Sequence, residues 1–119
     1  MHELAVCQSL LEQAEVLARE NGAHAICSLL LAVGPLSGVE SGLLLRAFSV
    51  ARCGTLAENA ELVVDEIPVK VRCRTCDATT EVAANRLVCG ACGDWQTDLV
   101  SGAEMFLMSM ELETGDEDV

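Results

Sequence analysis

Four cysteines constrain this 119-residue chain more than any other feature, because they occur as two closely spaced pairs. Cys73 and Cys76 form the first pair, Cys89 and Cys92 form the second, and twelve residues separate the pairs. Each Cys-x-x-Cys turn directs two thiolates toward one point, and two such turns supply the four soft ligands of a tetrahedral metal. The spacing therefore predicts a zinc-ribbon type of metal site.

Zinc is the metal that this ligand set favours, and its role is expected to be structural, since four cysteines leave no coordination position open for catalysis. Iron in a rubredoxin-like centre is the alternative. A thioredoxin-like redox site is not expected, because such a site uses one cysteine pair at the start of a helix. In the second turn Gly90 and Gly93 fit the positive-φ geometry of a tight loop. Four basic residues are expected to offset the negative charge of the centre, namely Lys70, Arg72, Arg74 and Arg86.

The sequence on either side of the cysteines predicts two helices and three strands. Apolar residues at helical spacing predict one helix over residues 4–18, and a second that follows a capping box at Ser37-x-x-Glu40 and stops near Cys53-Gly54. Apolar runs predict strands over residues 25–33, 61–67 and 104–113. The order strand, helix, strand predicts a right-handed crossover that makes the first two strands parallel.

These elements predict an α+β fold in two domains. Two helices on a small mixed three-stranded sheet would form one domain from residues 1–68 and 100–119, and residues 69–99 would form an inserted four-cysteine zinc-ribbon domain. The remaining cysteines, Cys7, Cys27 and Cys53, lie on apolar faces or at a helix end and are expected to act as small hydrophobic residues.

Charge and composition limit the classes of function. Seven basic against nineteen acidic residues give a net charge of -12, which disfavours nucleic acid and anionic lipid. A zinc-ribbon adaptor for protein or nucleic-acid partners remains an alternative because Arg72, Arg74 and Arg86 lie near the cysteines. No catalytic triad, phosphate loop or open metal site is visible, so we do not expect an enzyme. No apolar stretch reaches the roughly 18 residues of a membrane span, which favours a cytoplasmic protein.

The first residues form a second set of candidate metal ligands. His2 offers an imidazole and a backbone amide nitrogen, and Met1 adds its α-amino group. The three nitrogens close adjoining five- and six-membered chelate rings in one plane, which suits Ni(II) or Cu(II) better than zinc. The amide or carboxylate of Glu3, or a histidine from elsewhere, could supply a fourth ligand. The simpler alternative is a solvated histidine at a frayed helix start, and His24 is expected to be an ordinary surface or capping residue.

Taken together, the motifs resemble the HypA/HybF family of hydrogenase nickel-incorporation proteins. The resemblance rests on the two Cys-x-x-Cys pairs and on the order of four short segments, Met1-His2-Glu3-Leu4, Val33-Gly34-Pro35-Leu36-Ser37-Gly38-Val39-Glu40, Gly54-Thr55-Leu56-Ala57-Glu58 and Ser101-Gly102-Ala103-Glu104. It covers nearly the whole chain.

The resemblance implies a nickel metallochaperone that delivers Ni(II), with a GTPase partner, to the large-subunit precursor of [NiFe]-hydrogenase. It implies nickel binding by Met1, His2 and Glu3, and structural zinc held by Cys73, Cys76, Cys89 and Cys92. Some family members carry a histidine in or beside the zinc module, but this chain has none from residue 70 onward. A nickel ligand borrowed from the module is therefore not expected here. Exposed apolar strand edges would permit a homodimer.

Overall fold

The computed structural model describes residues 2–114 as two helices and six strands. In chain order these are α1 (His2–Glu20), β1 (Ala25–Val33), α2 (Ser41–Ala51), β2 (Glu61–Glu66), β3 (Lys70–Cys73), β4 (Thr79–Glu81), β5 (Thr97–Ser101) and β6 (Met105–Glu113). The strands form two three-stranded sheets, with the orders β2-β1-β6 and β4-β3-β5. Neither helix is long and apolar enough to cross a membrane.

The chain divides into two compact units. The first, called the helical unit, holds the described residues up to Leu31, Glu40–Val64 and those from Leu107 onward. The second, called the cysteine unit, holds Ala32–Val39 and Asp65–Phe106. The domain boundaries predicted from the sequence stay a prediction.

Helix α1 forms because its apolar residues recur at three and four positions and cover one side. The side chains buried on that side are Cys7, Leu10, Leu11, Ala14 and Ala18. The helix ends where Gly22 adopts a φ of 73°, and the side-chain amide of Asn21 donates to the Leu17 carbonyl at 2.8 Å. The predicted helix and its stop signal are confirmed.

Strand β1 is the central strand of its sheet and the most buried one. Leu29 and Leu31 are fully buried. The Ile26 N–H donates to the Leu56 carbonyl at 2.9 Å and the Ile67 N–H to the Val33 carbonyl at 3.0 Å. The residue paired with β1 moves from Leu56 to Ile67 as β1 itself runs from Ile26 to Val33. Both strands therefore run in the same direction, so β1 and β2 are parallel, as predicted.

The third strand of that sheet runs the other way. The His24 N–H donates to the Glu113 carbonyl at 3.0 Å, and the Gly34 N–H donates to the Glu104 carbonyl at 2.8 Å. The partners advance in opposite directions, so β6 is antiparallel to β1. The sheet is therefore mixed, in agreement with the predicted fold class.

The start of α2 differs from the predicted capping box. Glu40 is the N-cap, and its carboxylate accepts from the N–H groups of Gly42 and Leu43 at 3.0 Å each. Ser37 instead accepts from the Val39 N–H at 3.2 Å within the preceding loop. The reason is Gly38, whose φ of 84° takes the backbone out of the helical region and delays the helix.

The cysteine unit contains three short strands that the sequence analysis did not predict. Strand β3 pairs antiparallel with β4 on one side and β5 on the other, so that Val71 lies opposite both Thr80 and Leu99. Val71 is 1% exposed. This small sheet ends at Cys73 and thereby positions the first metal-binding loop.

Candidate metal centre

The first cysteine loop follows directly from β3. The Sγ atom of Cys73 accepts from the N–H groups of Thr75 and Cys76 at 3.3 and 3.4 Å. The Asp77 N–H closes the loop by donating to the Cys73 carbonyl at 3.1 Å, and Asp77 has a φ of 66°. The backbone N–H groups of this loop therefore hold the Cys73 sulfur in place.

The second loop repeats this geometry. The Sγ atom of Cys89 accepts from the N–H groups of Ala91 and Cys92 at 3.3 Å each. The Gly93 N–H donates to the Cys89 carbonyl at 2.9 Å, and Gly93 has a φ of 79°. The prediction for Gly93 is confirmed.

The prediction of a positive φ at Gly90 is wrong, because the left-handed position of this loop comes after its second cysteine. Gly90 serves close packing instead. Its N–H donates to the Thr80 hydroxyl at 2.9 Å, and an added Cβ would lie 3.1 Å from the Thr80 Cβ.

The four sulfurs converge on one point. All four lie within 4.8 Å of one another, with 3.6 Å between Cys73 and Cys92 and 3.5 Å between Cys76 and Cys89. A tetrahedral zinc ion with Zn–S bonds of about 2.3 Å requires sulfurs roughly 3.8 Å apart. The cluster thus fits a structural zinc site, and four thiolates would fill its coordination sphere.

Backbone hydrogen bonds lower the pKa of one thiol in each loop. The Cys92 N–H is the main cause that lowers the pKa of Cys89 to about 6, and the Cys76 N–H lowers the pKa of Cys73. The pKa of Cys92 rises to about 12: the Asp94 N–H lowers it, but desolvation and the neighbouring sulfurs outweigh that donor. A cation among the four sulfurs would favour the fully ionised set.

Charged side chains near the loops form ion pairs. Arg72 binds Asp77 through a 2.6 Å contact, and Arg74 binds Asp98 through another of 2.6 Å. The hydroxyl of Thr75 donates to the Asp94 carboxylate and so joins the two loops. The predicted offset of the cluster's charge by Lys70, Arg72, Arg74 and Arg86 stays a prediction.

At the other candidate site, His2 is exposed as the first residue of α1, and Met1 lies outside the described residues. The Oε2 atom of Glu3 accepts from the Glu40 N–H at 3.4 Å. The N–H groups of Glu3 itself and of Glu40 lower the pKa of the Glu3 carboxyl. This contact between the starts of α1 and α2 was not predicted, since neither amphipathic pattern encodes it.

Among residues 2–114, the four cysteines are the one set of three or more His, Cys, Asp or Glu side chains gathered closely enough to hold a metal. The amino-terminal nickel set therefore stays a prediction.

His24 is exposed, as predicted, on an open cleft of about 400 Å³ that Cys27, Glu58 and Glu113 also line.

The other three cysteines differ from one another. Cys7 is fully buried, its Sγ donates to the Leu44 carbonyl at 3.4 Å, and burial raises its pKa. It is the small hydrophobic residue that the sequence predicted. Cys27 and Cys53 are exposed, so the prediction that they act as small hydrophobic residues is wrong for them, although Cys53 does lie just after the end of α2. Cys27 instead lines the open cleft beside His24.

Comparison with known proteins gives one consistent family. A family model described as "Hydrogenase/urease nickel incorporation, metallochaperone, hypA" matches residues 1–112. A hydrogenase maturation factor HypA from Nitrosospira multiformis is 45% identical over 114 residues, which cover 96% of this chain and 99% of that protein. The Aquifex aeolicus protein of the same name is 42% identical over 113 residues, covering 95% and 98%.

Two solved structures share the fold. The solution structure of the Ni metallochaperone HypA from Helicobacter pylori has a TM-score of 0.67 at 27% identity, and the match covers 95% of this chain and 98% of that one. Another solution structure of a HypA protein has a TM-score of 0.73 at 28% identity, with coverages of 97% and 98%.

Proposed function

The chain belongs to the HypA family of nickel-incorporation metallochaperones, and we propose that it binds Ni(II) through Met1, His2 and Glu3 at its amino terminus. We further propose that a GTPase partner takes part in transferring the ion to the large-subunit precursor of [NiFe]-hydrogenase. The family's role in nickel incorporation during hydrogenase maturation is the premise. The ligands, the partners and a cytoplasmic location are the parts that require testing.

The observation that carries the nickel site is the placement of an imidazole at residue 2. The Met1 amine, the His2 amide and the His2 imidazole would form two fused chelate rings in one plane, a geometry that Ni(II) accepts. His2 is exposed at the start of α1, which leaves such a set open to an incoming ligand.

Glu3 supports the proposal through its charge. Its lowered pKa keeps the carboxylate ionised further into the acid range than an ordinary glutamate, beside the proposed nitrogen set. Oε2 is occupied by the Glu40 N–H. If the carboxylate contributes a ligand atom, Oε1 is the better candidate, because its use keeps that hydrogen bond.

We assign zinc to Cys73, Cys76, Cys89 and Cys92. The support is the convergence of four sulfurs and the matching backbone geometry of the two loops. Bound zinc would hold the loops together and stabilise the cysteine unit. Since four thiolates complete its coordination, we assign no step of nickel transfer to this site.

Transfer by ligand exchange suits an exposed planar site. An acceptor could approach from the open side of the plane while the chain's nitrogen donors leave in succession. Each departing amine or amide nitrogen would take up a proton, so release would be favoured at lower pH. No buried ligand has to be exposed for this to occur.

The test is calorimetric titration of Ni(II) into untagged, zinc-loaded protein. His2→Ala should abolish stoichiometric binding, and acetylation of the Met1 amine should weaken it at least about tenfold, because the amine becomes an amide. His24→Ala, which removes the only other histidine, should bind as the unchanged chain does. Zinc content should be the same in all four samples.

Unchanged nickel affinity in His2→Ala would contradict the amino-terminal site. A loss in His24→Ala would instead place the site at the cleft near β1. The partner part of the proposal is tested separately, by measuring nickel transfer from the loaded chain to hydrogenase precursor with and without the GTPase.

A further inference from the structure

Helix α1 ends immediately before the dipeptide Asn21-Gly22. Asparagine followed by glycine is the pair most prone to deamidation, because glycine has no side chain to keep its backbone nitrogen away from the asparagine side chain. The chain's other asparagines, Asn59 and Asn85, precede alanine and arginine, which hinder that approach. All three asparagines are exposed. The residue that follows, rather than access of water, therefore distinguishes Asn21.

The end of α1 is closed by a Schellman motif. The Gly22 N–H donates to the Arg19 carbonyl at 3.0 Å. The Ala23 N–H donates to the Ala18 carbonyl at 2.9 Å. Gly22 has a φ of 73°, as the motif requires, and both alanines are buried. The motif therefore engages the backbone nitrogen of Gly22 within the last turn of α1.

The side chain of Asn21 is engaged in the same turn. Its amide nitrogen donates to the Leu17 carbonyl at 2.8 Å. Deamidation requires the Gly22 nitrogen to reach the Cγ atom of Asn21, and it requires the side-chain nitrogen to depart. Both nitrogens are donors in bonds that close the last turn of α1. The turn therefore has to open before the two residues can react.

We propose that Asn21-Gly22 is a deamidation site gated by opening of the last turn of α1. The Gly22 nitrogen gives its proton to hydroxide and forms a bond to Cγ of Asn21. The bond between Cγ and the side-chain nitrogen breaks, and that nitrogen takes a proton from water and leaves as ammonia. Water then opens the cyclic imide at either carbonyl, which produces aspartate or isoaspartate. The net change is one water consumed and one ammonia released.

Both products weaken the helix end that protected the asparagine. Each adds a negative charge at the C-terminus of α1, where the helix dipole disfavours it and where Glu20 already adds another. Aspartate also lacks the N–H donor that binds the Leu17 carbonyl. Isoaspartate lengthens the backbone by one carbon, which displaces the groups of the Schellman motif. A modified chain therefore has a less stable α1 than the chain it came from.

The experiment compares deamidation at the three asparagines of the zinc-loaded full chain in mildly alkaline buffer, with and without urea. Proteolysis and mass spectrometry give the modified fraction at each site. In urea, Asn21 should react faster than Asn59 and Asn85. Without urea, the rate at Asn21 should fall at least about tenfold, which corresponds to an opening free energy of about 1.4 kcal/mol.

Arg19→Gly tests the gate without altering the reacting pair, since Arg19 is an exposed residue of the last turn. Glycine weakens a helix, so the rate at Asn21 of the folded variant should rise about threefold, whereas its rate in urea should not change. Arg46→Gly is the matched control, because Arg46 is an exposed arginine on α2. It should leave the rate at Asn21 unchanged.

Three outcomes would overturn the proposal. Equal reactivity of the three asparagines in urea would contradict the site. Equal rates at Asn21 with and without urea would contradict the gate. An equal rise in Arg19→Gly and Arg46→Gly would assign the reaction to unfolding of the whole helical unit instead of the last turn of α1.

Discussion

The cysteine cluster and the amino terminus collect their candidate ligands in different ways. The four cysteines span residues 73 to 92 and meet only because two loops fold against β3 and its neighbours. Met1, His2 and Glu3 are consecutive, so chelation there requires little more than the local backbone. A ligand set made by the fold suits an ion that stays, whereas a contiguous set at an exposed helix start suits an ion that leaves.

The sharpest way to test this difference is to remove one cysteine. Cys73→Ala should lose zinc and unfold the cysteine unit, because metal binding supplies roughly 10 kcal/mol or more of folding free energy in small structural zinc sites. If the two sites are independent, the same variant should still bind Ni(II) at His2. Metal analysis, circular dichroism and nickel titration of one sample report all three properties.

Cys53→Ser is the matched control, since Cys53 is exposed and outside the cluster. It should keep one zinc per chain. Retention of zinc by Cys73→Ala would contradict the four-cysteine assignment. Loss of nickel binding together with zinc would show instead that the amino terminus depends on the cysteine unit.

A smaller effect is expected from the backbone of the second loop. Gly93→Ala places a Cβ at a φ of 79°, which should destabilise the zinc-loaded protein by about 1 kcal/mol. Gly93→Asn should cost less, because asparagine adopts the left-handed region more readily. Urea unfolding of the zinc-loaded variants measures the difference, and equal stabilities for Ala and Asn would argue against backbone strain as the cause.

Asp77 explains why a glycine is not mandatory at this place. It occupies the corresponding position of the first loop with a φ of 66° and pairs with Arg72. The two loops therefore share one backbone geometry with different residues after the second cysteine. The symmetry became visible only in the structure, since Asp-Ala and Gly-Asp have no common sequence signature.

Periodicity and spacing predicted most of the fold. Helix α1, strand β1 and the cysteine quartet follow from signals that act within a few residues: helical spacing, a continuous apolar run and two Cys-x-x-Cys turns. The short strands β3, β4 and β5 were missed because three to five residues carry too little pattern, and pairing between them supplies the stability. The capping box failed because Gly38 determined the local backbone instead.

The candidate sites were predictable to different extents. Four cysteines at this spacing require convergence, so their meeting was foreseen. The Glu3–Glu40 contact joins residues 37 positions apart in the chain, and only tertiary packing brings them together. The same holds for the exposure of Cys27, which lines the open cleft beside His24 although it shares a face of β1 with the buried Leu29 and Leu31.

The smallest predicted effect concerns Glu3 and the pH dependence of the helical unit. The folded-state pKa of Glu3 is lowered from 4.5, first by its own N–H and then by that of Glu40. A carboxyl with a lowered pKa contributes stability above its unfolded pKa and loses it as the pH falls through the folded value. Glu3→Gln should therefore reduce stability slightly at pH 7 and leave it unchanged at the acid end.

Urea unfolding followed by helix circular dichroism at a series of pH values below neutrality measures this difference. Glu12→Gln is the matched control, because Glu12 is exposed on the same helix. It should show no comparable change with pH. If Glu3→Gln instead lowered stability equally at every pH, the Glu3 contact would act through packing rather than charge. The contact between the starts of α1 and α2 would then persist in acid. The amino terminus would then resemble the cysteine cluster in being held by the fold.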